Sequence, residues 1–179
     1  MKTFLSIGTG PGIGLSTAER FAREGFRVIV SARTLEKTNS IAEKLKAKGY
    51  QAEARTVEAS DPQSIEALVT SVEKEFGAID VLHYNAASMR QATIQDQPNE
   101  TLVTDLAVNI GGALAAIQAA TAKMIENKAG TILLTGGGFA LYPHPDYISL
   151  SIGKAGIRAL TLGLFDSFKE KGIHIASVT

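Results

Sequence analysis

Apolar positions along the chain switch between two spacings: short continuous or alternating runs, and longer stretches with the 3.6-residue period of a helix. Residues 3 to 7, TFLSI, read as a strand, and a helix from about Gly12 to Glu24 turns Ile13, Ala18, Phe21 and Ala22 inward before Gly25 stops it. Residues 26 to 32, FRVIVSA, form a β-branched run suited to a strand buried on both faces. Thr34 caps a helix that carries Ile41, Ala42 and Leu45 inward and ends at Gly49, and QAEARTV, 51 to 57, alternates as a third strand. The clearest helix has Asp61 as N-cap and Pro62 at its first position, with Ile65, Leu68, Val69, Val72 and Phe76 at helical spacing and Gly77 past the end. IDVLHY, 79 to 84, is a strand, and the alanine-rich stretch 99 to 127, apolar around much of its girth, predicts a helix buried between neighbours. GTILLTGGG, 130 to 138, predicts a strand running into a second glycine cluster, followed by a helix over 146 to 171 and a last strand, IHIASV.

Six strands separated by five helices imply a parallel sheet with helices on both faces, because right-handed crossovers leave little other choice. The expected fold is a doubly wound α/β single domain spanning 1 to 179, in three α/β/α layers. The sequence stops at Thr179, inside the last strand, so a continuation beyond it is expected. Ligands of such sheets lie beyond the carboxyl ends of the strands.

Composition narrows the classes. Eighteen basic and eighteen acidic side chains cancel, so no basic field points to nucleic acid. The absence of cysteine excludes disulfides, thiolate metal sites and a cysteine nucleophile, and no His, Asp and Glu spacing suggests a metal. The N-terminus is too short in apolar residues for a signal peptide, and no run reaches the roughly 18 uncharged apolar residues of a membrane span, so a cytoplasmic protein with no membrane partner is expected.

Chemistry enters at SIGTGPGIG, 6 to 14, with four glycines between positions 8 and 14, directly after the first strand. There the following helix offers unpaired N–H groups and roughly half a positive charge, a seat for phosphate. Gly8, Gly12 and Gly14 have G-x-x-x-G-x-G spacing, and no Gly-Lys-Ser/Thr follows, which excludes a P-loop. A tight turn without ligand is the competing reading. A dinucleotide site needs a ribose reader about 20 residues on, at the end of the second strand, and VSARTLEK offers no carboxylate there but Arg33. A guanidinium forks onto a 2′-phosphate, so Arg33 favours NADP over NAD, unless it is a solvated arginine.

With these residues the whole chain resembles the short-chain dehydrogenase/reductase family, with its Rossmann fold. The glycine turn, including Gly12-Ile13-Gly14, fits the family's pattern, and Asn85-Ala86-Ala87 is similar to its Asn-Ala-Gly. The resemblance implies that Glu58 lies near the adenine, that Asn85 steadies the sheet and the cofactor, that Asn109 serves a proton relay, and that Lys154 is the lysine of Tyr-x-x-x-Lys, binding ribose and lowering a phenol's pKa. It also implies that the long helices pair into a homodimer or homotetramer.

The departures fall where that chemistry would occur. Leu150 stands four residues before Lys154 in place of the tyrosine, and Gly137 in place of the serine. Tyr147, one helical turn before Leu150, is either a substitute acid or a residue that lines the pocket and starts the helix; Ser149, Ser151 and Thr135 are further hydroxyls, and His144 is an acid–base candidate or a solvated loop residue. His83 and His174 read as structural. Two functions follow: an NADP-dependent oxidoreductase acting on a small carbonyl or alcohol substrate with an altered catalytic centre, or an NADP-binding sensor or scaffold without turnover. A structural partner in a hetero-oligomer is the third reading.

Overall fold

The computed structural model describes residues 1–179. Six parallel strands, β1 (Thr3–Ile7), β2 (Arg27–Ala32), β3 (Ala52–Thr56), β4 (Val81–Tyr84), β5 (Gly130–Thr135) and β6 (Ile173–Val178), form one sheet in the order β3-β2-β1-β4-β5-β6. Helices α1 (Ile13–Arg23) and α2 (Leu35–Lys46) cover one face, where Phe4, Val28 and Val30 meet Ala18, Ala22, Ile41 and Leu45. Helices α3 (Pro62–Phe76), α5 (Gly112–Asn127) and α6 (Ile148–Lys169) cover the other, over Leu5, Ile29, Leu82 and Ile132. The doubly wound order reverses between β1 and β4, which opens a crevice at their carboxyl ends.

Helix starts follow local chemistry. Asp61 accepts from the Gln63 amide at 2.9 Å and Pro62 takes a first-turn position whose N–H needs no partner. Ile13, expected inward, is 61% exposed, because the first turn of α1 stands at the mouth of the crevice rather than on the sheet.

The segment 99 to 127 departs from a uniform buried helix in two ways. Helix α4 (Asn99–Leu106) joins α5 through a π-helical turn, Ala107–Gly111. The Tyr84 hydroxyl, buried in the core, donates to the Val108 carbonyl, and a Cβ on Gly112 would stand 2.2 Å from that hydroxyl, so the helix widens to admit the tyrosine. Its outer face is also exposed, with Val103 at 70% and Leu114 at 42%. Against expectation, Asn99–Asn127 and Ile148–Lys169 are long and apolar enough to cross a membrane by length and composition; here each lays one face on the sheet.

Candidate functional site

The glycine turn is built around a close approach. Gly8 has φ 83°, and a Cβ there would lie 2.4 Å from the backbone of Ala86, so only glycine lets β1 end against the loop after β4. The Gly8 and Thr9 amides donate to the Ser31 carbonyl at 2.8 and 2.9 Å, which binds the turn to β2. Helix α1 starts at Gly12 without a side-chain cap, and Leu15 is its first amide paired within the chain, to the Gly10 carbonyl at 2.9 Å. The earlier amides of that turn remain for a ligand, at the positive end of the helix.

Two adjoining cavities of about 300 and 310 Å³ share Gly10, Asn85, Ala87 and Met89 and run along this turn. The first reaches Arg33 and Glu58. Arg33 is exposed and has no carboxylate partner, whereas the Glu58 carboxylate accepts from the Ser60 amide at 3.1 Å and the Ser60 hydroxyl at 2.8 Å. The second cavity ends among Thr135, Gly136, Leu150 and Lys154, with Ile13 and Gly14 on its near wall. Gly8, Gly12, Ile13, Gly14, Arg33, Glu58, Asn85 and Lys154 are thus brought to one cleft.

At the inner end the Lys154 ammonium donates to the Thr135 carbonyl at 2.7 Å, and burial lowers its pKa. No acid faces it, so the cleft holds a partly desolvated cation that favours hydroxyl or anionic ligand oxygens. Leu150, one turn earlier, presents an apolar wall. Gly137 has extended backbone, and a Cβ there would meet only the Lys154 methylenes, at 3.8 Å.

The other expected residues lie elsewhere. Both ends of the Asn109 amide are engaged with the loop after β4: its Oδ1 accepts from the Ser88 amide at 2.6 Å and its Nδ2 donates to the Ser88 carbonyl at 3.1 Å. Tyr147 precedes α6 rather than lying in it, with its ring stacked on Phe139 at 5.5 Å and edge-on to His144 at 5.7 Å, outside the Lys154 cavity. Ser149 donates to Asp105 and Ser151 accepts from the His144 amide, so of the three extra hydroxyls only Thr135 lines the cavity. His144 and His174 are exposed, and His174 is a surface residue of β6 beside Phe165 rather than a core histidine.

The residue that sequence reasoning missed is Asp105, 1% exposed in the last turn of α4. Its carboxylate accepts from the Ser88 hydroxyl, from Arg90 Nε and Gln97 Nε2, both at 2.9 Å, and from the Ser149 hydroxyl at 3.0 Å. Burial raises its pKa, but these donors outweigh burial and hold the carboxyl below its ordinary value. They also pin the loop 86 to 97 to α4 and α6, fixing one wall of the cleft.

With this geometry established, the chain matches the short chain dehydrogenase family along residues 2–179. It belongs to that family. The 3-oxoacyl-(acyl-carrier-protein) reductase of Staphylococcus aureus is 29% identical over 178 residues, 99% of this chain and 72% of that protein. The 5-keto-D-gluconate 5-reductase of Escherichia coli K12 is 27% identical over 177 residues, 99% of this chain and 70% of that protein. Among solved structures, a variant of actinorhodin polyketide ketoreductase with NADPH has a TM-score of 0.94 at 26% identity, covering 98% of this chain and 68% of that one. NAD+-bound xylitol dehydrogenase has a TM-score of 0.94 at 27% identity, covering 99% and 69%. The Rossmann fold and an oxidoreductase family are therefore those anticipated from the residues.

Proposed function

We propose that the chain is an NADP-dependent oxidoreductase acting on a small carbonyl or alcohol compound, with a weakened proton-transfer centre. The observation that carries this is the continuous cleft with uncapped helix amides in its middle, an unpaired guanidinium at one end and an uncompensated ammonium at the other. Its residues fit a dinucleotide: Arg33 takes the 2′-phosphate, the Gly12–Gly14 amides take the pyrophosphate, and Lys154 and Asn85 hold the ribose and ring end. NADP(H) supplies the hydride when bound. The coenzyme reading accords with the NADPH and NAD+ carried by the two solved relatives.

Leu150 and Gly137 remove the acid and the substrate-orienting hydroxyl that the family resemblance implies. Losing a general acid costs about 10²- to 10⁴-fold, while orientation alone contributes up to about 7 to 11 kcal/mol, so slow turnover follows rather than none. The same two residues favour a second reading, an NADP-binding sensor or scaffold without turnover. Exposed Leu114, Ile125, Ile152, Leu162 and Phe165 on α5 and α6 supply apolar surface for pairing with a second copy of the chain.

Calorimetric titration with NADPH and NADH tests the coenzyme, with Arg33→Ala expected to weaken NADPH about tenfold or more and NADH little, in line with a charge-assisted bidentate contact. Equal losses remove Arg33 from the site, and no heat with either form overturns the dinucleotide reading. NADPH oxidation with a panel of aldehydes and ketones separates the enzyme from the sensor.

A further inference from the structure

Beneath the cleft, side chains of β1, β4 and β5 and of the first residue after β4 form a line of hydrogen bonds that neither the family match nor the dinucleotide reading explains. Ser6 Oγ lies 3.1 Å from His83 Nδ1, His83 Nε2 lies 3.1 Å from Thr135 Oγ1, Thr135 Oγ1 donates to Asn85 Oδ1 at 2.8 Å, and Asn85 Nδ2 donates to the Gly8 carbonyl at 2.8 Å. Ser6 and His83 are register partners in β1 and β4, both buried, at 0% and 3% exposure.

The proton positions follow from the far end. Because Asn85 donates to Gly8, its Oδ1 faces Thr135 and can only accept. The single Thr135 hydroxyl proton is therefore spent on Asn85, so Thr135 Oγ1 receives from His83 Nε2–H, and the bare Nδ1 accepts from Ser6. All four bonds then point one way, from the sheet interior to the glycine turn, an arrangement in which each bond polarises the next. The carbonyl of the same Thr135 accepts from Lys154. One residue thus fixes both Asn85 and Lys154, and the group that fixes its rotamer is a histidine that lines neither cavity of the cleft.

We propose that His83 is a positioning residue for the coenzyme site, acting through the Thr135 hydroxyl to set Asn85. The neutral Nε2–H tautomer is the working form. Without the donor, the Thr135 hydroxyl is free to turn away and Asn85 loses the partner that holds its amide plane against Gly8. The consequence for binding rests on the dinucleotide reading above; the placement of Asn85 does not.

The experiment compares His83→Val, which deletes the donor, with His83→Gln, whose amide nitrogen reaches the Nε2 position, using two readouts on folded protein. In proton–nitrogen correlation spectra without ligand, the Asn85 side-chain amide pair is expected to shift and broaden in His83→Val and to stay near its wild-type position in His83→Gln. In NADPH titrations, His83→Val is expected to raise Kd about three- to tenfold, with His83→Gln restoring most of it, the range set by one buried hydrogen bond. Thr135→Val should raise Kd similarly, with the double variant adding little, as for residues acting in one chain. An unmoved Asn85 amide in His83→Val, or an unchanged Kd in that variant beside a binding wild type, overturns the proposal. Should wild type bind no NADPH, the dinucleotide reading falls while the Asn85 signal still decides the positioning claim.

Discussion

Burial of His83 has a measurable effect on stability. Desolvation pushes its pKa from 6.5 down to about 4, because the core solvates the imidazolium poorly and the single-direction chain requires an unprotonated Nδ1. Between those values the unfolded state binds the proton and the folded state does not, so stability falls as pH falls from 6.5 toward 4 and is flat above. At pH 5 the unfolded imidazole is almost fully charged and the folded one about nine-tenths neutral, a preference of about 30-fold, or about 2 kcal/mol; at pH 7 the same difference is only about 0.2 kcal/mol. The assay is urea denaturation followed by circular dichroism, at pH 7, 6 and 5, for wild type and His83→Gln. Groups that titrate alike in both proteins drop out of the difference, so the stability of wild type relative to the variant should decline by about 2 kcal/mol across that range, or about 4 to 8 °C in Tm for a domain of this size. A wild-type-to-variant difference that does not change with pH would refute the claim that the imidazole is held neutral in the folded protein.

Two further outcomes are expected. Gly137→Ser with Leu150→Tyr should raise NADPH oxidation by a carbonyl substrate about 10²- to 10⁴-fold. The new serine Cβ meets only Lys154 methylenes at 3.8 Å and the tyrosine enters a wall of the existing cavity, one turn from Lys154. There a cation about 4 Å from a phenolate is worth about 4 kcal/mol at an effective dielectric of 20. Absorbance of NADPH reports the gain, and a folded double variant that binds NADPH without it would count against a hydride-transfer cleft. Asp105→Asn should cost about 2 to 3 kcal/mol at pH 7, since it weakens several bonds to a buried charge. Its folded pKa lies below the ordinary 3.8, so this contribution is complete above that value and is lost as pH falls through the lower one. Urea midpoints at pH 7 and pH 3 check both, and equal wild-type and variant midpoints at pH 7 would dismiss the anchoring role.

Local pattern carried the fold because most strands are dense apolar runs and most helices are punctuated by a cap or a glycine, as at Asp61, Pro62 and Gly77, while β3 was legible only by its alternation. It failed where distant residues decide. The π turn at 107–111 depends on the Tyr84 hydroxyl entering from another element, which no window around residue 108 contains. Ile13 has the spacing of a buried position, but its turn opens onto the cleft. Asp105 sits in NETLVTD, at the polar start of a segment read as one buried helix, and nothing local marks it; its four donors come from positions 88, 90, 97 and 149. The glycine turn and Arg33 could be placed at one cleft because they stand at strand and helix ends, whereas Lys154 was singled out by the Tyr-x-x-x-Lys resemblance and the fold brings it to the same cleft. For His83 a signal existed: with Ser6 and Asn85 it places polar side chains inside strands and strand ends otherwise built for the core.

Coenzyme binding and proton transfer are physically separable in this cleft. The amides of α1, Arg33 and Lys154 derive their attraction for anionic and hydroxyl oxygens from helix charge, a free guanidinium and a desolvated ammonium, none of which involves positions 137 or 150. The groups that hold them, Gly8 against Ala86, Thr135 under Lys154 and the Asp105 donors around the 86 to 97 loop, belong to the scaffold and are hydrogen-bonded or close-packed. A leucine at 150 and a glycine at 137 therefore remove a proton donor without loosening the seat on which a dinucleotide rests. Binding without turnover and turnover at a reduced rate are then two positions on one scale, set by whether water can deliver a proton beside Lys154, since the Thr135 hydroxyl proton is committed to Asn85.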